Sequence, residues 1–164
     1  MQYFGYGFLM TEIEIIKMVM SHEGNQYAQS KLTNYFSKWG ISARSHSHVD
    51  LRNLTEVDAI RIHKTDFWDH YNFKSLPPKI RAIVYTYGVI LGFPDAFKAL
   101  SQAAEYFPLK ESLTDDLKAK IDGINPEIIR ARVATLMLFY LYDHNLLQSN
   151  VRSLIPRIME SVSN

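Results

Sequence analysis

The segment "KIRAIVYTYGVIL", residues 79–91, constrains this chain more than any other. It is apolar nearly all round, so a helix made from it has no face to give to water and belongs at the centre of a domain. Its ends are marked. Pro77 and Pro78 stand where a first helical turn tolerates a missing amide, and Gly92 and Pro94 close the run. A chain of 164 residues fits one domain that buries roughly two-thirds of its unfolded surface.

The remaining pattern supplies helices to cover that centre. Thr11 and Glu14 form a capping box, and Ile13, Ile16 and Met20 recur at helical spacing up to a stop at Gly24, which predicts a helix ending near His22. Residues 25–50 are rich in Asn, Ser, Gly and Gln and read as loop with one small hairpin around Trp39 to Ser42. Thr55 opens a second helix with a stripe of Val57, Ala59, Ile60, His63 and Phe67. A fourth is expected over Asp95 to Tyr106, a fifth from the Thr114 cap to about Ile121, and a long one from Asn125-Pro126 through "RARVATLMLFYLYDH". A last helix is expected from Val151 to Val162. The sum is a mainly α chain of six or seven helices with no internal repeat.

Charge and composition remove several function classes. With 18 basic and 17 acidic side chains, the net charge of +1 makes no field for nucleic acid or anionic lipid. There is no cysteine, hence no disulfide framework. The start, "MQYFGYGFLMTE", lacks a basic leader region and a small-residue cleavage site, and no run approaches a membrane span. Synthesis in the cytoplasm without a signal peptide, and no stable membrane insertion, are the expectations. Met10 is an alternative start, which would make residues 1–9 an addition; the expected division is an N-terminal extension over residues 1–10 and a single domain over 11–164.

The chain lacks a P-loop, a dinucleotide fingerprint, a G-x-S-x-G elbow and a catalytic cysteine. His22-Glu23 opens a zinc-protease pattern, but position 26 is Gln26 rather than histidine. His46 and His48 in "SHSHVD" are more often solvated than metal-bound, so neither metal nor other cofactor is expected. Glu23 is more informative. A carboxylate at the exit of a buried helix meets the negative end of the dipole and apolar neighbours, which disfavour its charge and suit it to donate a proton.

Two short motifs then point to a family. Glu23-Gly24 and, after twelve intervening residues, Ser37-Lys38-Trp39-Gly40-Ile41-Ser42 are the two, and both match one known pattern with no gap needed between them. Leu54, Thr55, Ala59, Phe67-Trp68, Leu76-Pro77, Gly92, Ala99 and Gln102 come after them in order. The pattern resembles glycosyl hydrolase family 108, the lysozyme-like group of phage endolysins and bacterial proteins once called secretion activators, over about residues 11–160. The resemblance implies a lysozyme-like helical domain with a small hairpin or irregular loop after the first helix. It implies a muramidase acting on the glycan strands of peptidoglycan, with Glu23 as general acid and Ser37 positioning the attacking water. Tyr27, Trp39, Thr86 and Tyr87 would orient the sugars, and a holin or an export route would deliver the protein to the wall.

The chain also departs from the family pattern. The family's loop carboxylate falls on Leu32, Gln29 replaces an earlier aspartate, and Asn34-Tyr35 replaces paired glycines. The polar pair on the buried helix reads Thr86 and Ile90. Asp50, Asp66 and Asp69 are the nearby candidates for a second carboxylate, and the sequence favours none of them. The alternative function is therefore a catalytically degenerate lysozyme-like protein that binds peptidoglycan or a protein partner.

Overall fold

The computed structural model describes residues 9–29, 34–144 and Ile158. Its helices are α1 (Glu12–Glu23), α2 (Glu56–Ile62), α3 (Pro78–Leu91), α4 (Phe93–Ala103), α5 (Asp115–Asp122) and α6 (Pro126–Asp143). A π-helical segment, His63–Asp69, continues α2 without a break, and a 3₁₀ turn covers Phe73–Ser75. Three short strands, β1 (Ala28–Gln29), β2 (Phe36–Lys38) and β3 (Ile41–Ser42), form an antiparallel sheet in sequence order.

α3 is the centre that its sequence requires. Ile80 and every residue from Ala82 to Gly88 are buried, and α1, α4 and α6 pack against it. Its neighbours begin where their caps predict. Thr11 Oγ1 accepts from the Glu14 amide while Glu14 Oε2 accepts from the Thr11 amide at 2.7 Å, and Thr114 and Asn125 cap α5 and α6 through their side chains.

Three expectations are corrected. α4 spans Phe93–Ala103 rather than Asp95 to Tyr106, because Gly92 ends α3 and at once begins α4, with Pro94 in its first turn. Val57 is 76% exposed, since α2 buries the face carrying Ala59 and Ile62, and Val57 stands on the other side. Ile13 lies in the first turn of α1 and is exposed; Ile15, Ile16, Met18, Val19 and Met20 carry the burial instead. The hairpin is present around Trp39–Gly40, with β1 added as a third strand. Met10 packs against the core and Leu9 is exposed. The first eight residues of the N-terminal extension and Leu32 lie outside the described residues. So does the last helix, apart from Ile158, which is helical and buried. Among the described residues, no helix is long and apolar enough to cross a membrane.

Candidate active site

Glu23 is the last residue of α1 and is half-buried. Gly24 stops the helix with φ +80° while its amide still donates to the Met20 carbonyl at 3.0 Å. The Gly24 carbonyl then accepts from the Trp39 amide at 2.9 Å. That bond, between residues fifteen positions apart, ties the helix exit to the turn between β2 and β3, so two motifs distant in the chain become neighbours.

The turn itself is unusual in composition. A two-residue hairpin connection with positive φ at both positions favours Asn-Gly, whereas here Trp39 (φ +51°) and Gly40 (φ +78°) occupy it. A bulky residue in the left-handed region costs about 1 kcal/mol or more, and the neighbours offset it. His63 Nε2–H donates to the Trp39 carbonyl at 2.7 Å, and the Lys38 ammonium lies 4.8 Å from the Trp39 ring centroid. At Gly40 the backbone sits so close to its surroundings that a Cβ would stand 2.7 Å from Val89 Cγ1 and 3.0 Å from Glu23 Cγ. The stem of Glu23 therefore rests on the bare Cα of the turn.

Gly40 also lines a cleft of about 670 Å³ that adjoins this corner. Its walls come from the sheet (Ser42), the following loop (Arg44, Ser45, His46, His48), the π-helical segment (Asp66, Phe67) and the α3–α4 junction (Gly88 to Pro94). Ser37 is paired directly with Ser42, so both side chains leave the same face of the sheet, and Ser42 opens on the cleft. Thus Glu23, Ser37 and Trp39 are gathered around one turn.

The other expected binding residues are placed differently. Tyr27 stacks on Phe36 with centroids 4.7 Å apart and carries the Arg52 guanidinium 4.5 Å from its ring, which makes an aromatic and basic edge to the sheet. Thr86 is 2% exposed, and its Oγ1 has no hydrogen-bond partner among the described residues. Tyr87 faces a separate depression with Asp95, Lys98 and Tyr140, and burial pushes its hydroxyl up to about 12. None of Glu23, Tyr27, Ser37, Trp39, Thr86 and Tyr87 is itself among the residues that line the cleft beside Gly40; the first four border it through the hairpin, and the last two lie in α3.

Two histidines that sequence reasoning did not assign organise this region. His63 is fully buried. Because its Nε2–H donates to Trp39, its Nδ1 accepts from the Tyr85 hydroxyl at 2.7 Å. Burial holds its pKa down at about 4, so it is neutral at physiological pH. His46 is 5% exposed; its Nδ1 accepts from the Ser45 hydroxyl at 3.0 Å, and its Nε2–H donates to Asp66 Oδ2 at 3.2 Å. The His46 and His48 rings lie 6.0 Å apart. Among the described residues, no three His, Cys, Asp or Glu side chains converge in a way that would hold a metal. The signal available in the sequence was an unusual one: a histidine, His63, on the apolar stripe of the helix that Thr55 opens.

The model of the glycosyl hydrolase 108 family matches residues 16–92, from within α1 to the end of α3. That span holds Glu23, the sheet, the π-helical segment and most of the cleft. No curated protein matches the chain. Among solved structures, that of SagA from Brucella abortus is similar, with a TM-score of 0.79 and 16% identity over 90% of this chain and 89% of that one. At that identity the likeness is one of fold, and the mainly helical chain with its small antiparallel sheet is lysozyme-like.

Proposed function

We propose that this chain, whose residues 16–92 match the model of the glycosyl hydrolase 108 family, is an N-acetylmuramidase that cleaves peptidoglycan strands with Glu23 as general acid. The observation that supports this reading most is the seat of Glu23: its stem lies on Gly40, and Gly40 forms part of the wall of a sugar-sized cleft. Glu23 gives its proton to the glycosidic oxygen as the bond to the anomeric carbon breaks, and the sugar passes through an oxocarbenium-like state. Ser37, on the sheet face that opens toward the cleft, holds the attacking water by its hydroxyl. Trp39 and Tyr27 offer ring faces and edges to the sugars. Residues 11–164 form the catalytic domain after a short extension, and a holin or export route brings it to the wall.

The test is clearing of purified cell walls by wild type and by Glu23→Gln. A loss of about 100-fold or more in the variant, with an unchanged melting temperature, supports the role of a general acid. Equal clearing by both removes Glu23 from the mechanism. If wild type binds muropeptides yet releases no reducing ends, the degenerate binding protein replaces the enzyme.

A further inference from the structure

Hydrolysis of a glycoside by water needs a group to take the proton that the water sheds, as well as an acid for the leaving oxygen. We infer that Asp66, oriented by His46, is the second carboxylate of this site. The inference rests on the glycoside hydrolase reading above and goes beyond it by choosing among three carboxylates that sequence alone leaves equivalent.

Position comes first. Among the described residues, Asp66 is the one carboxylate that lines the cleft sharing Gly40 with Glu23. The other two are engaged elsewhere. Asp50 accepts from the Arg52 and Asn53 amides and from Asn53 Nδ2 at the start of a turn. Asp69 is paired with Lys64. Neither lines the cleft.

Asp66 is held as a reacting group must be. Thr65 Oγ1 donates to its Oδ1 at 2.6 Å and His46 Nε2–H to its Oδ2 at 3.2 Å, which fixes both oxygens. Its side chain nevertheless keeps 43% of its surface open, so it can still meet a water. His46 cannot swing away. It is buried, backed by Ser45 on Nδ1, and packs against the edge of Phe67 at 5.3 Å. The π-helical segment contributes the rest. Its wider turn carries Asp66 and Phe67 together at the cleft wall, and such bulges recur at functional sites.

The electrostatics agree with the role. The Thr65 hydroxyl, and after it the His46 imidazole, hold the Asp66 carboxyl below the usual aspartate value, so it is ionised near neutral pH. A weak base suffices, because a water bonding to an oxocarbenium carbon becomes strongly acidic. In the step, the proton of Glu23 goes to the leaving oxygen and the bond from anomeric carbon to that oxygen breaks. The water oxygen bonds to the same carbon, and one water proton passes to Asp66. Solvent then returns a proton to Glu23 and removes one from Asp66.

The experiment uses the full chain on purified peptidoglycan sacculi, with initial rates, KM and melting temperature measured for each variant. Asp66→Asn is expected to lower kcat by about 100-fold with KM and melting temperature near wild type. Asp66→Ala is expected to regain activity when formate is added, which replaces the missing carboxylate. His46→Gln, which keeps a donor, is expected to retain more kcat than His46→Ala. Asp66→Asn at wild-type rate beside an inactive Glu23→Gln overturns this inference alone. So does an inactive Asp66→Ala that formate does not revive, since that marks a structural role. Wild-type rate in Glu23→Gln, or no turnover by wild type, overturns the preceding reading and this one with it.

Discussion

His63 and His46 both pack edge-on with the Phe67 ring, at 5.2 and 5.3 Å between centroids, and both are almost wholly buried. Their partners make them different. His63 meets only neutral groups, the Trp39 carbonyl and the Tyr85 hydroxyl, so its imidazole is a rigid two-ended connector between the hairpin turn and α3. His46 meets a hydroxyl on one side and a carboxylate on the other. It aims a charged group into a cleft. One histidine shapes the site and the other equips it, and what separates them is the chemistry at a single ring nitrogen.

The largest effect that would test this contrast is expected at His63. Replacing it by alanine opens a cavity and leaves a buried carbonyl and a buried phenol unpaired, which should cost about 4 kcal/mol of unfolding free energy in urea titrations. A similar loss in His46→Ala would erase the distinction.

Next in size is a pH effect that His63 alone should produce in the mildly acidic range. Its folded pKa of about 4 lies below the unfolded value of 6.5, so the unfolded chain takes up the proton first. The stability it contributes is complete above the unfolded value and falls away toward the folded one, by roughly 3 kcal/mol in all. The depressed carboxyl of Asp66 works in a lower window, because its contribution fades only as pH drops through the ordinary aspartate range and below. Urea midpoints measured between about pH 7 and pH 4.5 should fall steeply in wild type and much less in His63→Gln.

Gly40→Ala asks how tightly the connector's turn is built. A methyl group there meets Val89 and Glu23 in a backbone conformation that disfavours alanine, so a loss of about 2 kcal/mol is expected by thermal melting. Gly24 offers the control. It shares the positive φ but has open space where a Cβ would go, and Gly24→Ala should cost about 1 kcal/mol. Smallest should be the stability change in His46→Ala, about 1 kcal/mol, since the half-exposed Asp66 carboxylate can turn to water. Its mark should appear in turnover instead.

The division between what the sequence made legible and what it did not follows the range of the interactions. Caps at Thr11, Thr114 and Asn125 act within three residues, and the all-apolar run of α3 announces its own burial. Glu23-Gly24 and Trp39-Gly40 were visible as motifs because each is a local backbone requirement. The bond from His46 to Asp66 crosses twenty residues and that from His63 to Trp39 crosses twenty-four; no spacing rule reaches so far. The widened turn at His63–Asp69 also shifts which residues face inward, which a fixed helical period cannot anticipate. Thr86 illustrates the opposite failure. Its alignment with a family polar position suggested contact with sugar, yet α3 is so central that the residue is sealed.

The seat of Glu23 on Gly40 has a mechanical corollary. Val89 of α3, Glu23 of α1 and the apex of the hairpin converge on one point with no slack between them, so the joint behaves as a keystone. A push on any of the three abutments, such as a replacement behind α3, is passed to the Glu23 carboxyl group as a change in its bearing. The aim of Glu23 can thus be lost without a single atom of that side chain being altered.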